Sequence, residues 1–178
     1  MRIVGGKYKG RVLTEFKGQD IRPTSSMVRE SLFNILQFKI FSARFLDLFS
    51  GTGAMGIEAL SRGAKKVHFN DINRQSLTVL KQNLDKLKVE EEFRITNLDA
   101  LTFLNSNKEK FDIIYIDPPY KTDLGRRALD LALSAIDDGG TIIFEDEKPF
   151  NDEVIGLEKF DSRKYGRVHL TFFRKGEN

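Results

Sequence analysis

The chain has 178 residues, of which 40% are hydrophobic and 31% charged, and its formal net charge is +3. That length suits one domain with a sizeable core, and no run of about 18 apolar residues offers a membrane span. Cysteine is absent, which removes disulfides, thiolate metal sites and cysteine nucleophiles and agrees with a reducing, cytoplasmic setting.

The start, "MRIVGGKYKG", lacks the apolar segment of a signal peptide. Residues 2–16, "RIVGGKYKGRVLTEF", alternate apolar and basic residues with glycines and predict a β-hairpin. Residues 22–38 predict a helix, preceded closely by Pro23 and capped by Thr24 or Ser25. Val28, Leu32, Ile35 and Leu36 share its apolar face. Residues 1–44 hold nine Lys or Arg against three Asp or Glu, whereas the remainder is net acidic. Such an excess suggests contact with a polyanion.

From residue 44 strands and helices alternate. Strands are predicted over 44–49, 66–71, 93–97, 111–117 and 139–146. Helices are predicted from the glycine-rich turn to about Arg62, then over 74–87, 100–106 and 124–136. The last segment reads as two strands joined by a turn near Tyr165 and Gly166. Five strands alternating with helices demand an α/β fold, a parallel sheet with helices on both faces. Ligands bind such sheets at the carboxyl ends of the strands. A final antiparallel pair is the expected ending of the seven-strand, Rossmann-like sheet of S-adenosylmethionine (SAM)-dependent methyltransferases.

"LDLFSGTGAMG" (46–56) places Gly51, Gly53 and Gly56 between a strand and a helix, with Asp71 at the end of the next strand. This is the dinucleotide fingerprint, and alone it separates neither NAD nor SAM. The glycines allow close backbone approach, and Asp71, followed by Ile72, suits ribose hydroxyls. Asp47 inside the strand and Asp99-Ala100 after strand three favour SAM, with Asp99 facing the adenine amino group. Asp99 serves equally well as a helix cap.

"IIYIDPPY" (113–120) ends a buried strand in Asp117, Pro118, Pro119 and Tyr120. The prolines stop the strand and fix the backbone. An exocyclic amine on a base is a poor nucleophile because its lone pair is delocalised. Acceptors on both amino hydrogens, Asp117 and the Pro118 carbonyl, would pyramidalise it, while Tyr120 stacks on the base. A paired base would have to be flipped out to reach them. Asp117 could instead only cap the next helix. His68 and His169 read as strand residues, and Phe33, Phe38, Phe41, Phe45 and Phe49 as core.

The segments "RIVGGKYKGRVL", "RPTSSMVRESLFNIL", "LDLFSGTGAMGIEALSRGA", "DPPY" and the late "YG" resemble the RsmD-type bacterial 16S rRNA (guanine-N2)-methyltransferases over nearly the whole chain. The resemblance implies SAM as donor, S-adenosylhomocysteine as product, no metal, and one guanine of 16S rRNA as acceptor. The substrate would be an assembled or assembling 30S subunit, and the enzyme a monomer. It assigns Asp117, Pro118, Pro119 and Tyr120 to catalysis. It assigns Asp47, Gly51, Gly53, Gly56, Asp71, Ile72, Asp99 and Ala100 to the cofactor. Lys7, Lys9, Arg11, Arg22 and Arg29 would hold rRNA phosphates. Residues 1–43 would form a basic RNA-binding extension on a methyltransferase domain at 44–178. Adenine-N6 methylation shares the tetrapeptide logic, and an NAD oxidoreductase or a non-catalytic RNA-binding module remain alternatives of other classes.

Overall fold

A computed structural model describes residues 1–15, 25–119 and 122–176. Helix α1 spans Ser26–Ile35 and is capped by Ser25, whose hydroxyl accepts from the Val28 amide at 3.2 Å. Pro23 and Thr24 lie outside the described residues. Strand β1 (Arg44–Asp47) leads through the glycine turn into α2 (Ala54–Ser61), and β2 (Lys66–Asn70) leads into α3 (Arg74–Leu87). Asn73 caps α3 by accepting from the amides of Gln75 and Ser76, so this helix begins where the sequence places it. Strand β3 (Glu92–Thr96), α4 (Ala100–Ser106), β4 (Phe111–Ile116), α5 (Leu124–Ala132) and β5 (Ile136–Asp146) follow. Strands β6 (Leu157–Tyr165) and β7 (Val168–Lys175) close the chain as an antiparallel pair.

The seven strands lie in the order β3-β2-β1-β4-β5-β7-β6. Strands β1 to β5 are mutually parallel, and β7 runs antiparallel to β5. This is the expected seven-strand, mostly parallel sheet. Side-chain alternation sends Phe45, Val67, Phe69, Ile113 and Tyr115 to one face, into a core shared with α1, α2 and α3. Leu46, Leu48, Ile114, Ile116 and Ile142 enter the opposite core with α4 and α5. The chain reverses its winding between β1 and β4, and the carboxyl ends of these neighbours frame a crevice.

Several expectations are corrected. The N-terminal hairpin is present but tighter than the span 2–16: among the described residues it holds one antiparallel bridge, Arg2 to Val12, with the Ile3 amide donating to the Arg11 carbonyl at 3.0 Å and the Leu13 amide to the Met1 carbonyl at 2.8 Å. Its backbone turns away to cap α2: the Lys7 amide donates to the Ser61 carbonyl at 2.7 Å. Gly6 makes this approach possible, since a Cβ there would lie 1.8 Å from that oxygen. Strand β1 stops at Asp47 rather than residue 49, although the Leu48 amide still donates to the Tyr115 carbonyl at 3.1 Å. Helix α5 ends at Ala132, because Ile136 already pairs with Phe111 as the first residue of β5. On α1, Ile35 is partly exposed while Arg29 and Phe33 are buried beside Val28 and Leu32. Phe38 and Phe41 are not core: they are 91% and 78% exposed in the turn before β1.

Candidate functional site

The turn after β1 is fixed at both ends. Asp47, fully enclosed at the end of β1, accepts from the Gly56 amide at 2.9 Å. Burial, with help from the Asp71 charge, pushes its carboxyl up to about 7 despite that hydrogen bond. Twenty residues on from Gly51, Asp71 accepts from the Gly51 amide at 2.7 Å through one oxygen and from the Asn73 amide at 2.8 Å through the other. The acidic residue therefore shapes the loop directly.

The three glycines do different work. A Cβ on Gly56 would sit 2.2 Å from the Phe69 ring, and one on Gly53 2.2 Å from Leu80. These two let α2 pack closely on β2 and α3. Gly51, with φ +52, has open space where a Cβ would be, and it alone of the three lines the adjoining cavity. Gly53 and Gly56 answer a packing demand, Gly53 also with a left-handed φ of +89, and neither lines this cavity. Asp47 likewise holds the loop from behind and does not line the cavity.

That cavity, of about 540 Å³, opens at the carboxyl ends of the strands. Gly51, Asp71, Ile72, Asp99 and Ala100 line one part of it, and Asp117, Pro118 and Pro119 another. Ile72 is 70% exposed and Leu98 is half-exposed, so apolar surface faces the cavity beside two carboxylates. Asp99 caps α4 by accepting from the Thr102 amide at 2.9 Å, and hydrogen bonding from the Thr102 hydroxyl, then from this amide, holds its carboxyl below the usual range. The cap and the cavity position are compatible, because a carboxylate has lone pairs to spare. Asn70 was not singled out from sequence. Its amide donates to the carbonyls of Leu48 and Leu98, and its oxygen accepts from Thr96, which ties three loops together under the cavity floor. An asparagine at a strand end carries no distinguishing signal.

Asp117 follows β4, with Pro118 buried behind it and Pro119 exposed. Gly125 admits Pro118 at the start of α5, where a Cβ would lie 2.5 Å from the proline ring. Thr122 donates to the Pro119 carbonyl at 3.1 Å, which fixes the corner. Burial raises the Asp117 carboxyl well above the usual range, and the charges of Glu145, Asp47 and Asp146 add to the shift. Glu145, itself buried, accepts from the Tyr115 hydroxyl across β4 and β5. Tyr120 lies outside the described residues.

The basic residues separate clearly. Arg29 is 1% exposed; it donates to the Arg2 carbonyl at 2.6 Å and its Nε lies 3.5 Å from Glu58. Its assignment to rRNA phosphates is corrected: it anchors the N-terminal turn. Lys7 is held by Glu90 and Glu91 at 3.1 and 3.0 Å, which raise its affinity for its proton. Arg11 donates to the Lys86 carbonyl, and Lys9 is exposed. Arg22 lies outside the described residues. His68 is a buried strand residue whose ring packs edge-on against Phe103, and burial lowers its pKa to about 4. Among the described residues no group of three His, Asp or Glu side chains is placed to hold a metal ion, and no helix is long and apolar enough to cross a membrane.

Residues 1–174 match the family model described as "Conserved hypothetical protein 95". The chain is 39% identical over 134 residues to ribosomal RNA small subunit methyltransferase D of Haemophilus influenzae, covering 74% of this chain and 69% of that protein. It is 33% identical over 184 residues to the protein of the same name in Buchnera aphidicola, covering 100% of this chain and 93% of that one. The solved structure of yhhF from Escherichia coli superposes with a TM-score of 0.88 at 30% identity, covering 98% of this chain and 97% of that chain.

Proposed function

The chain belongs to the RsmD-type family of ribosomal RNA methyltransferases, and on that premise we propose that it transfers a methyl group from SAM to the N2 amine of a guanine in small-subunit rRNA. The observation that carries this reading is the single cavity that joins Gly51, Asp71 and Asp99 to Asp117 and Pro118. The residues fit the donor. Asp71 offers a carboxylate beside the Gly51 turn for a ribose, and Ile72 and Leu98 offer apolar surface for a purine ring. Ala100 follows Asp99 in the same lining. SAM supplies an electrophilic methyl carbon on a sulfonium.

The chain's own groups prepare the nucleophile. The Asp117 carboxylate accepts one amino hydrogen and the Pro118 carbonyl the other, so the nitrogen lone pair leaves conjugation. The prolines hold both acceptors without rearrangement during the reaction. Burial costs the free Asp117 carboxylate solvation, and the amino N–H donors of a bound base compensate it. A new N–C bond forms as the C–S bond breaks, and the cationic nitrogen then sheds a proton. The raised proton affinity of Asp117 suits it to receive that proton.

The acceptor macromolecule is tested by incubating the protein and methyl-labelled SAM with unmodified small subunits, naked 16S rRNA and DNA. Label in rRNA, free or within the subunit, is the expected result. Label in DNA alone would overturn the reading.

A further inference from the structure

A second cavity, of about 300 Å³, shares Pro118 and Pro119 with the larger one. One side is aromatic: Phe144 and Phe150 meet edge to face at 5.3 Å, and Phe150 meets Phe173 in the same way. Arg126 braces this wall. Its guanidinium lies over the Phe150 ring and reaches Asp130, Asp152 and the Glu153 carbonyl. Two polar groups of the lining are less committed. Asp146, at the end of β5, spends one oxygen on the Glu147 amide at 2.6 Å, and the other makes no hydrogen bond among the described residues. Lys148 is exposed and forms no ion pair among them.

The position of Asp146 matters because of what the cavities share. The larger cavity presents Asp117 and the smaller presents Asp146, on either side of one proline corner. Asp117 and Asp146 thus flank the same two prolines, one in each lining, and after Glu145 and Asp47 the Asp146 charge adds to the upward shift of Asp117. The Watson–Crick edge of guanine carries adjacent donors, the N2 amine and N1–H, whereas adenine carries an amine next to an N1 lone pair. Two neighbouring carboxylates match the first edge and repel the second.

We propose that the smaller cavity receives the target guanine and that Asp146 selects it over adenine by accepting N1–H while the amine faces Asp117. Phe150, half-buried in this wall, offers the flipped base apolar surface, and the exposed Lys148 of the same lining would meet the nucleotide phosphate. Asp146 is thus a specificity-determining residue, distinct from the groups that activate the amine. This rests on the guanine-N2 reading above.

The test uses unmodified small subunits, with digestion to nucleosides after methylation. Asp146→Asn keeps the shape and adds a donor that suits adenine N1. It should lower kcat/KM for guanine by at least about tenfold, the loss expected for one base-reading hydrogen bond. SAM affinity, read by calorimetry, should stay within about twofold, and the share of label in adenosine should rise. The unaltered protein provides a second measurement that does not depend on the variant folding. Subunits reconstituted with 2-aminopurine at the mapped position keep the amine and lack N1–H, and should be methylated at least about tenfold more slowly. A wild-type rate on guanine for the variant, together with a wild-type rate of the unaltered protein on the analogue, would overturn the role of Asp146 alone. Label in adenosine from the unaltered protein would overturn the guanine reading and this inference together.

Discussion

The carboxylate of Asp47 accepts the Gly56 amide at 2.9 Å, so the end of β1 is tied directly to the first turn of α2. This bond holds the whole glycine turn from beneath. It does so in an enclosed place, where burial pushes the carboxyl up to about 7.

The sign of the pH effect follows. A folded-state value above the unfolded one means that the native chain holds the proton more tightly. The stabilisation is full below the unfolded value and is lost as pH rises through about 7. Asp47→Asn keeps an acceptor for Gly56 and removes the titration. Urea unfolding at about pH 5 and about pH 8 should show the variant gaining on the wild type by on the order of 2 kcal/mol as pH rises. An unchanged difference would remove Asp47 as the titrating group.

The glycines should separate by experiment. Gly56→Ala drives a methyl group to 2.2 Å from Phe69 and should destabilise by about 1–3 kcal/mol. Gly51→Ala meets no such contact; its left-handed backbone should cost roughly 1–2 kcal/mol. Its methyl group enters the cavity, so SAM affinity should fall more than stability does. Denaturant unfolding paired with SAM calorimetry distinguishes the two outcomes.

Legibility in the sequence followed local chemistry. Helix α3 was readable because Leu77, Leu80, Leu84 and Leu87 mark one face, and β1 and β4 because each is an apolar run between turn residues. The cavity carboxylates Asp71, Asp99 and Asp117 were readable because strand ends place them together in this topology. What failed was non-local. Nothing in a sequence announces that Arg29 meets Glu58 in the core, 29 positions away. Nor does it tell that Lys7 is already occupied by Glu90 and Glu91. Aromatic character alone assigned Phe38 and Phe41 to the core, yet they are 91% and 78% exposed. The glycine pattern was recognised correctly, but Phe69 and Leu80 supply the reason for two of its members.

Arg29→Met should act on stability and not on RNA. Removing one partner of a buried pair costs about 3–5 kcal/mol. The lower end is expected here, because Glu58 keeps the Arg62 guanidinium and the Val4 amide. RNA affinity of the folded variant, measured by filter binding, should match the wild type. A loss of salt dependence in that assay would return Arg29 to the RNA surface.

The exposed cations should behave unequally. Lys9→Glu and Arg11→Glu should each weaken rRNA binding and flatten its salt dependence, by about 0.7–0.9 in log–log slope per lost phosphate contact. Lys7→Glu should do less to the slope, because Lys7 already pairs with two carboxylates. Binding isotherms across a salt series decide this, and slopes unchanged from the wild type for both Lys9→Glu and Arg11→Glu would contradict the basic turn's role.

The central claim is that Asp117, in the larger cavity beside the prolines that both cavities share, activates the N2 amine of a guanine in small-subunit rRNA. The most direct measurement incubates wild type and Asp117→Ala with labelled SAM and unmodified small subunits, then digests the rRNA and identifies the labelled nucleoside by mass spectrometry. The account predicts N2-methylguanosine from the wild type. Asp117→Ala should yield at least about a hundredfold less, the scale of losing a preorganised catalytic acceptor, with SAM binding retained in calorimetry. Full activity in Asp117→Ala, or label on any other nucleoside, would contradict it.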